Sequence, residues 1–218
     1  GGGGPSGGGT LVWLTISDAG IAPLCACELA APATTLSWAP GTRLLVGLCS
    51  GVVAQLALPD AVGHPDAGHG LTRVAFATLL PRCVRLLSAP AAVACSDANT
   101  FHALGADGIV RVYSLGAEAP PPDNLDTLAV TVPAVELSPR HAKGTGAMAL
   151  SADGRLLATG GQDGTVALGA AAGGSFDSLA QLHSSTAGGV VALALLASPD
   201  GSVAIASAGA GGLLFVSE

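Results

Sequence analysis

Cys49 is the first residue whose surroundings could support catalysis. It lies at the centre of GLCSG, residues 47–51, which has the G-x-nucleophile-x-G spacing of the strand-to-helix turn in some α/β hydrolases. That turn needs a helix directly after the nucleophile, whereas VVAQLAL, residues 52–58, is apolar and β-branched and predicts a strand. We therefore interpret GLCSG as a turn between two strands and assign no catalytic residue.

A second segment, GTGAMA at residues 144–149, has the G-x-G-x-x-A spacing of a dinucleotide-binding loop. Such a loop follows a strand and opens a helix, so that backbone N–H groups face the pyrophosphate. Here SPRHAK precedes the glycines and LSADG follows them, and neither segment supplies the required element. We assign no cofactor to the chain.

The histidines and cysteines do not have the spacing of a metal site. His64 and His69 flank Asp66 in HPDAGH, a loop segment, and no second cluster supplies further ligands. Cys25 and Cys27 alternate onto one face of a predicted strand and lack the C-x-x-C spacing of a zinc knuckle. The five cysteines are an odd number in a chain long enough to fold without disulfides. We expect reduced thiols and no metal.

Composition argues against two classes of partner. Half of the 218 residues are hydrophobic, but only 11% are charged, against about a quarter in soluble domains. The formal net charge is −7 and Lys143 is the single lysine, so no basic patch can neutralise phosphates and we expect no direct nucleic-acid binding. SPDG, residues 198–201, interrupts the longest apolar stretch, so we expect no membrane insertion. No secretory signal pattern is present, so secretion is not indicated. Our expectation for the location is intracellular and cytoplasmic.

Short apolar and β-branched runs, each ended by turn residues, recur along the whole chain. No stretch keeps a helical period for three turns, so the sequence predicts an all-β protein with more strands than one sheet usually holds. One predicted strand is RVAFATLLP, residues 73–81. Trp13 and Trp38 also lie in predicted strands, where we expect them to be core anchors. His102 is expected to be a half-buried strand residue.

Segments rich in glycine and proline divide the chain. GGGGPSGGG, residues 1–9, has the composition of a flexible linker or loop. Loop insertions are predicted near residues 59–72 and 116–124, the second of which contains three consecutive prolines. Residues 10–218 are therefore predicted to form the folded unit.

A turn glycine recurs before the apolar strands. Its copies are separated by 42, 57, 56 and 48 residues and are Gly9, Gly51, Gly108, Gly164 and Gly212. The shortest interval matches a propeller blade of about 40–45 residues, and longer intervals contain the loop insertions. LSADGRLLATGGQDG and ASPDGSVAIASAGAGG superpose with one insertion, and WAPGTRLLVGLCSG is a weaker third copy.

Two of these copies carry a family resemblance. SADGRLLATGGQDGTVAL, residues 151–168, and SPDGSVAIASAGAGGLLFV, residues 198–216, resemble the inner half of WD repeats, which build β-propellers. The resemblance covers about residues 10–218. It implies an all-β propeller of WD-repeat type with about four blades' worth of sequence, beginning and ending at the third strand of a repeat. An open ring leaves unpaired edges, so we expect the blades to belong to a larger propeller of seven or eight.

In this family a His before strand a, a Ser or Thr on strand b, an Asp in the b–c turn and a Trp on strand c often hold a repeat together. The resemblance places the first three roles on His141, Thr159 and Asp163, with Gly169 at the Trp position. It implies a structural network and no catalytic one.

The neighbouring copies keep fewer of these residues. One has His183 and Ser207, with Gly211 at the Asp position and Ser217 at the Trp position. LGADGIVRVYSLG keeps Asp107 and has Tyr113 at the Trp position. The resemblance further implies structural b–c turn glycines, which are Gly51, Gly108, Gly164 and Gly212.

The resemblance also implies a function: a non-catalytic scaffold that mediates protein–protein interactions in a multi-subunit assembly. The chain is similar to the large WD-repeat proteins of the cilium and flagellum, which implies a cytoskeletal scaffold of the axoneme or of intraflagellar transport. The axoneme of the cilium or flagellum is accordingly a further possibility for its location. The alternative is an adaptor propeller in a transcription, ribosome-assembly or ubiquitin-ligase complex. A propeller-fold enzyme would need acids or histidines converging from several blades, whereas the acids here fall mainly in turns and loops.

Overall fold

The structure is a computed structural model that describes residues 8–18, 20–57, 72–79, 82–116, 125–139, 141–197, 202–212 and 214–217. These residues form strands joined by turns and three short 3₁₀ helices, at Phe76–Leu79, Leu125–Thr127 and Ser185–Ala187. No helix in these ranges is long and apolar enough to cross a membrane.

The strands are short, and most are separated by tight turns. In chain order they are β1 (Thr10–Ser17), β2 (Gly20–Glu28), β3 (Ala33–Ala39), β4 (Arg43–Leu48), β5 (Val52–Ala57), β6 (Thr72–Val74), β7 (Arg82–Arg85), β8 (Pro90–Cys95), β9 (Thr100–Gly105), β10 (Val110–Ser114), β11 (Val135–Leu137), β12 (Thr145–Leu150), β13 (Leu156–Gly161), β14 (Thr165–Ala170), β15 (Phe176–Gln181), β16 (Val190–Ala197), β17 (Val203–Gly209) and β18 (Leu214–Ser217).

These strands form five sheets that follow one another along the chain. The first sheet has the order β1-β2-β6, the second β3-β4-β5-β7, the third β8-β9-β10-β11, the fourth β12-β13-β14-β15 and the fifth β16-β17-β18. Neighbouring strands are antiparallel except β6, which pairs parallel with β2. Successive small antiparallel sheets are the architecture of a partial β-propeller, as the repeat pattern predicts.

The core is divided into four clusters, one between each successive pair of sheets. Leu11 and Trp13 of the first sheet pack with Val46 and Leu56 of the second. Leu45 and Val53 then pack with Phe101 and Tyr113 of the third sheet. Two further clusters join the third sheet to the fourth and the fourth to the fifth. Each inner sheet therefore buries both faces, whereas the first and fifth sheets each bury one.

The turn glycines have the geometry that the repeats require. In the turn between β13 and β14, the Gly164 N–H donates to the Gly161 carbonyl at 3.0 Å, and the φ of Gly164 is +86°. An L side chain is strained in that region, and a Cβ at Gly164 would overlap the backbone of His183. The other three predicted turn glycines also have positive φ, and they are Gly51, Gly108 and Gly212.

The first sheet repeats only part of the pattern. The Leu29 N–H donates to the Gly9 carbonyl at 2.7 Å, just as Leu182 N–H donates to Gly164 at 3.0 Å after β14 and β15. β1 and β2 therefore occupy the places of the third and fourth strands of a four-stranded sheet. Among the described residues, β1 pairs with β2 alone and leaves its other edge open.

Three sequence expectations are corrected. The predicted strand over residues 73–81 ends at Val74, and Phe76–Leu79 is a 3₁₀ helix, because Phe76 and Leu79 at i, i+3 both pack against the first core cluster. Trp13 is a core anchor, but Trp38 is 65% exposed. His102 is fully buried, at 2% exposure, instead of half-buried.

Candidate functional site

The best-formed side-chain network lies in the fourth sheet and its preceding segment. Thr165 Oγ1 donates to Asp163 Oδ1 at 2.6 Å, so it accepts from His141 Nδ1 at 2.7 Å. The other nitrogen of the neutral imidazole, Nε2, therefore accepts from Thr159 Oγ1 at 3.0 Å. Asp163 also accepts from the backbone N–H groups of Thr165 and Ala142. The network joins the turn after β13 to the segment before β12.

Electrostatics keeps this network in one protonation state. Burial lowers the pKa of His141, and the nearby Asp163 carboxylate offsets only part of that effect. Burial opposes the charged form of Asp163, but hydrogen bonds from Thr165 and Ala142 outweigh it and lower the pKa of this carboxyl. At neutral pH the histidine is therefore neutral and the aspartate charged.

This network holds the residue types of a catalytic triad but not its arrangement. A triad places the carboxylate against the imidazole, whereas His141 Nδ1 lies 3.7 Å from Asp163 Oδ1 and Thr165 stands between them. The His141 side chain is 1% exposed, so a substrate cannot reach it. The hydrogen bonds of this network hold segments of one and the same repeat together.

Gly169, at the position of the family tryptophan, is covered by a neighbour. An added Cβ would lie 2.9 Å from Phe176 Cδ1 and 2.9 Å from the Ser175 carbonyl oxygen. Phe176, on β15, packs against the cluster between the third and fourth sheets. The space of the absent indole is therefore occupied by a side chain from the adjacent strand.

In the third sheet an ion-pair network replaces the histidine network. Arg111 Nη2 lies 2.7 Å from Asp107 Oδ2, and Arg111 Nε lies 2.8 Å from Glu136 Oε1. The hydrogen bonds from Arg111 lower the pKa of Asp107. Tyr113, at the Trp position, stacks on Phe101 with ring centroids 5.4 Å apart.

The fifth sheet keeps half of the histidine network. His183 Nε2 lies 2.9 Å from Ser207 Oγ, and both residues are buried. His183 Nδ1 has no hydrogen-bond partner in the described ranges, where Gly211 stands at the Asp position. The ring of Phe215 packs edge-on against His183 at 5.1 Å.

Sequence reasoning missed several polar contacts. Thr165 was recognisable, because a hydroxyl directly after Asp-Gly can bond the turn carboxylate. Arg82 had no local signal: it donates to Gln55, Asn99 and backbone carbonyls that are distant in sequence. The side-chain amide of buried Gln55 in turn donates to the Ala98 carbonyl.

The motifs with catalytic or ligand-binding spacing have the following positions. Cys49 is exposed in the turn between β4 and β5, and a strand follows it where an elbow needs a helix. Residues 145–149 of GTGAMA lie in strand β12. HPDAGH and both predicted loop insertions fall largely on residues 58–71 and 117–124, outside the described residues. The part of the chain that the structure describes contains no group of three potential metal ligands.

Comparison with known families identifies the repeat. The model of the WD domain, G-beta repeat, matches residues 137–168, which span His141, Thr159 and Asp163. The chain contains a WD repeat. Its WD repeat at residues 137–168 coincides with the strands β12, β13 and most of β14.

One curated relative and one solved structure extend this result. This WD-repeat chain is 37% identical over 147 residues to cilia- and flagella-associated protein 43 of Chlamydomonas reinhardtii. That alignment covers 63% of the chain but 8% of the relative, so the chain spans a small part of that protein's length. The crystal structure of the computationally designed Ika4 protein is similar in fold, with a TM-score of 0.51 and 19% identity, over 86% of this chain and 91% of that one.

Proposed function

We propose that this WD-repeat chain is a non-catalytic scaffold that binds other proteins within an assembly of the cilium or flagellum. The observation that carries the proposal is the 37% identity over 147 residues to a cilia- and flagella-associated protein. Fold alone would not support it, because propellers serve many unrelated functions.

The surface chemistry supports stable protein contacts. The fifth sheet exposes Leu196, Leu214 and Val216, each by about two thirds, on the face turned away from the fourth sheet. At the other end of the series of sheets, the first sheet exposes Val12 and Leu14. Apolar faces of this kind favour packing against a permanent neighbour over salt-steered transient binding.

The charge distribution gives the adaptor alternative less support. A propeller that binds phosphorylated or acidic peptides presents arginines on its surface. Arg82 and Arg111 are instead engaged with carbonyl and carboxylate oxygens of the chain itself. Arg73 and Arg155 are exposed, but each lies beside a carboxylate of the chain. The scaffold proposal needs no such surface.

Fractionation of cilia tests the proposal. The native-length protein is tagged in a ciliated cell, the cilia are isolated, and the detergent-insoluble axonemes are washed with salt. We expect the protein to stay with the axoneme and to co-purify with axonemal or transport proteins identified by mass spectrometry. Recovery from the cell body alone, as a monomer without bound proteins, would contradict the proposal. The control is an untagged culture taken through the same steps.

A further inference from the structure

Ser138 begins a serine-proline pair in the connection between two complete sheets. It lies between β11 of the third sheet and β12 of the fourth, directly before Pro139. Both of these sheets have four described strands, and neither lies at an end of the series of five. The surroundings of Ser138 are therefore formed by residues that the structure describes.

The backbone at Ser138 is extended and presents the side chain on the surface. Glu136 and Ser138 are exposed. Leu137 and Pro139, which alternate with them, are buried, and this alternation is that of an extended chain. The backbone turns directly afterwards, where the His141 N–H donates to the Pro139 carbonyl at 2.9 Å. The exposed hydroxyl is thus carried by a short extended segment with a buried neighbour on each side.

A serine before a proline fits one class of modifying enzyme. Proline has no backbone N–H, so an enzyme pocket that offers no acceptor to the residue after the serine selects proline over other residues. Protein kinases with such a pocket are proline-directed. The sequence contains two serines followed by proline, Ser138 and Ser198, and no threonine followed by proline. Ser198 lies outside the described residues.

The charges around Ser138 suit a phosphate. Residues 138–143, SPRHAK, carry Arg140 and Lys143 and no acid. Arg111 of β10 lies opposite Glu136, and its Nε is 2.8 Å from Glu136 Oε1. Ser138 shares the exposed face of Glu136, two residues further on, so it is a diagonal neighbour of Arg111 within reach of a long side chain. A guanidinium binds phosphate oxygens at least as well as carboxylate oxygens.

We propose that Ser138 is a phosphorylation site of a proline-directed protein kinase, and that the phosphate competes with Glu136 for Arg111. In the transfer, Ser138 Oγ bonds to the γ-phosphorus of ATP, the bond from that phosphorus to its bridging oxygen breaks, and ADP leaves. The hydroxyl proton passes to the catalytic aspartate of the kinase. The product adds a charge of about −1.5 to −2 at neutral pH. The inference goes beyond the proposed scaffold function, because it names a place where an enzyme changes the surface charge of the chain.

Incubation with kinases tests the site. The folded native-length protein is incubated with ATP and, separately, with a purified cyclin-dependent kinase or a purified mitogen-activated protein kinase. It is then digested and analysed by mass spectrometry. We expect a phosphate on the peptide that contains Ser138. Absence of that phosphate with both kinases would overturn the proposal. The assay uses purified protein, so its outcome does not depend on the ciliary location that the proposed function requires.

Matched variants and peptides separate the site from its surroundings. Ser138→Ala should remove this phosphate, whereas Ser88→Ala, at an exposed serine followed by alanine between β7 and β8, should leave it unchanged. A synthetic peptide of residues 134–144 should also be phosphorylated, and Pro139→Ala in that peptide should slow the reaction more than about tenfold. Phosphorylation of the peptide but not of the folded protein would show that the fold shields Ser138, and would overturn the proposal.

NMR of the arginine side chains tests the role of Arg111. The Nε–H signals of isotope-labelled arginine are recorded before and after phosphorylation, and Arg111→Lys identifies the signal of Arg111. We expect this signal to shift on phosphorylation, whereas that of Arg73, which pairs with Glu28 in the first sheet, should not. An unshifted Arg111 signal in the phosphorylated protein would overturn the competition with Glu136.

Discussion

A single residue, Asp163, connects two parts of one repeat. Its carboxylate accepts from Thr165, both backbone and side chain, and from the Ala142 N–H. We expect Asp163→Ala to lower the free energy of unfolding by about 1–2 kcal/mol, because these donors lose a charged acceptor. Urea denaturation measures the change, and Asp177→Ala, an exposed aspartate on β15, is the control. Equal effects of both substitutions would show that the network adds no stability.

Two buried histidines predict a loss of stability in mild acid. Burial lowers the pKa of His102 and of His141 in the folded protein. The unfolded chain, with a histidine pKa of about 6.5, then binds more protons than the folded chain, so stability is full above that value and falls as the pH drops below it.

The measurement is urea denaturation at about pH 7.5 and about pH 5.5, a range above the carboxyl pKa values. We expect the protein to be less stable at the lower pH. His102→Asn keeps a donor for the Ala171 carbonyl without the titrating imidazole, so the pH dependence should become shallower. A pH dependence identical to that of the unaltered protein would exclude His102 as a source.

At this scale the sequence predicts contacts within a repeat better than contacts between sheets. The pattern selects His141, Thr159 and Asp163, and the structure places them in one hydrogen-bonded chain through Thr165. Their importance for stability stays a prediction. The exposure of Trp38 was not predictable, because it depends on which strands cover β3 from the neighbouring sheet.

At the scale of elements, β14 and β15 show how a repeat compensates for a missing tryptophan. Phe176 and the Ser175 carbonyl leave no room for a Cβ at Gly169. Gly169→Ala should therefore destabilise the protein by about 1–3 kcal/mol through overpacking. Thermal unfolding measures this change, with Gly116→Ala as the control, since a Cβ at Gly116 meets nothing within 4 Å. A stabilising Gly169→Ala would show that Phe176 moves away at little cost.

The turn between β17 and β18 allows a pair of substitutions that we expect to stabilise the protein. A carboxylate at position 211 would stand where Asp163 stands in the fourth sheet, near the unpartnered Nδ1 of His183. A Cβ there meets Ala187 at 3.4 Å, an ordinary contact. Thr165 bridges the carboxylate and the imidazole in the fourth sheet, and Leu213 is its counterpart in sequence here. We therefore expect Gly211→Asp combined with Leu213→Thr to stabilise the protein by about 0.5–1.5 kcal/mol. Gly211→Ala combined with Leu213→Thr controls for backbone entropy, and an aspartate variant no more stable than this alanine variant would contradict the expectation.

Local turn chemistry explains why most elements were predictable. Gly51, Gly108, Gly164 and Gly212 each follow a polar or small turn residue and precede a strand, and all four have positive φ. By contrast, β6 has three residues and a parallel partner far away in sequence. Its pairing with β2 is a tertiary contact, and no periodicity in residues 72–74 encodes it.

For the whole molecule, the local stability of a sheet depends on whether it lies at an end of the series of five sheets or between two others. The third and fourth sheets have a core cluster on both sides, whereas the first and fifth have one each. Amide hydrogen exchange should therefore be faster in β1, β2 and β16–β18 than in β8–β10 and β12–β14. Mass spectrometry of exchanged peptides measures this, and uniform protection across the five sheets would contradict it.

The shortness of β6 has a consequence for aggregation at the outer side of the first sheet. It pairs with residues 25–27 of β2 in parallel register, whereas β2 itself runs over nine residues. The outermost strand on this side of the sheet is therefore only three residues long. Fibre growth by edge-to-edge pairing needs a long, regular edge, and an edge this short protects the outer side of the first sheet from such growth.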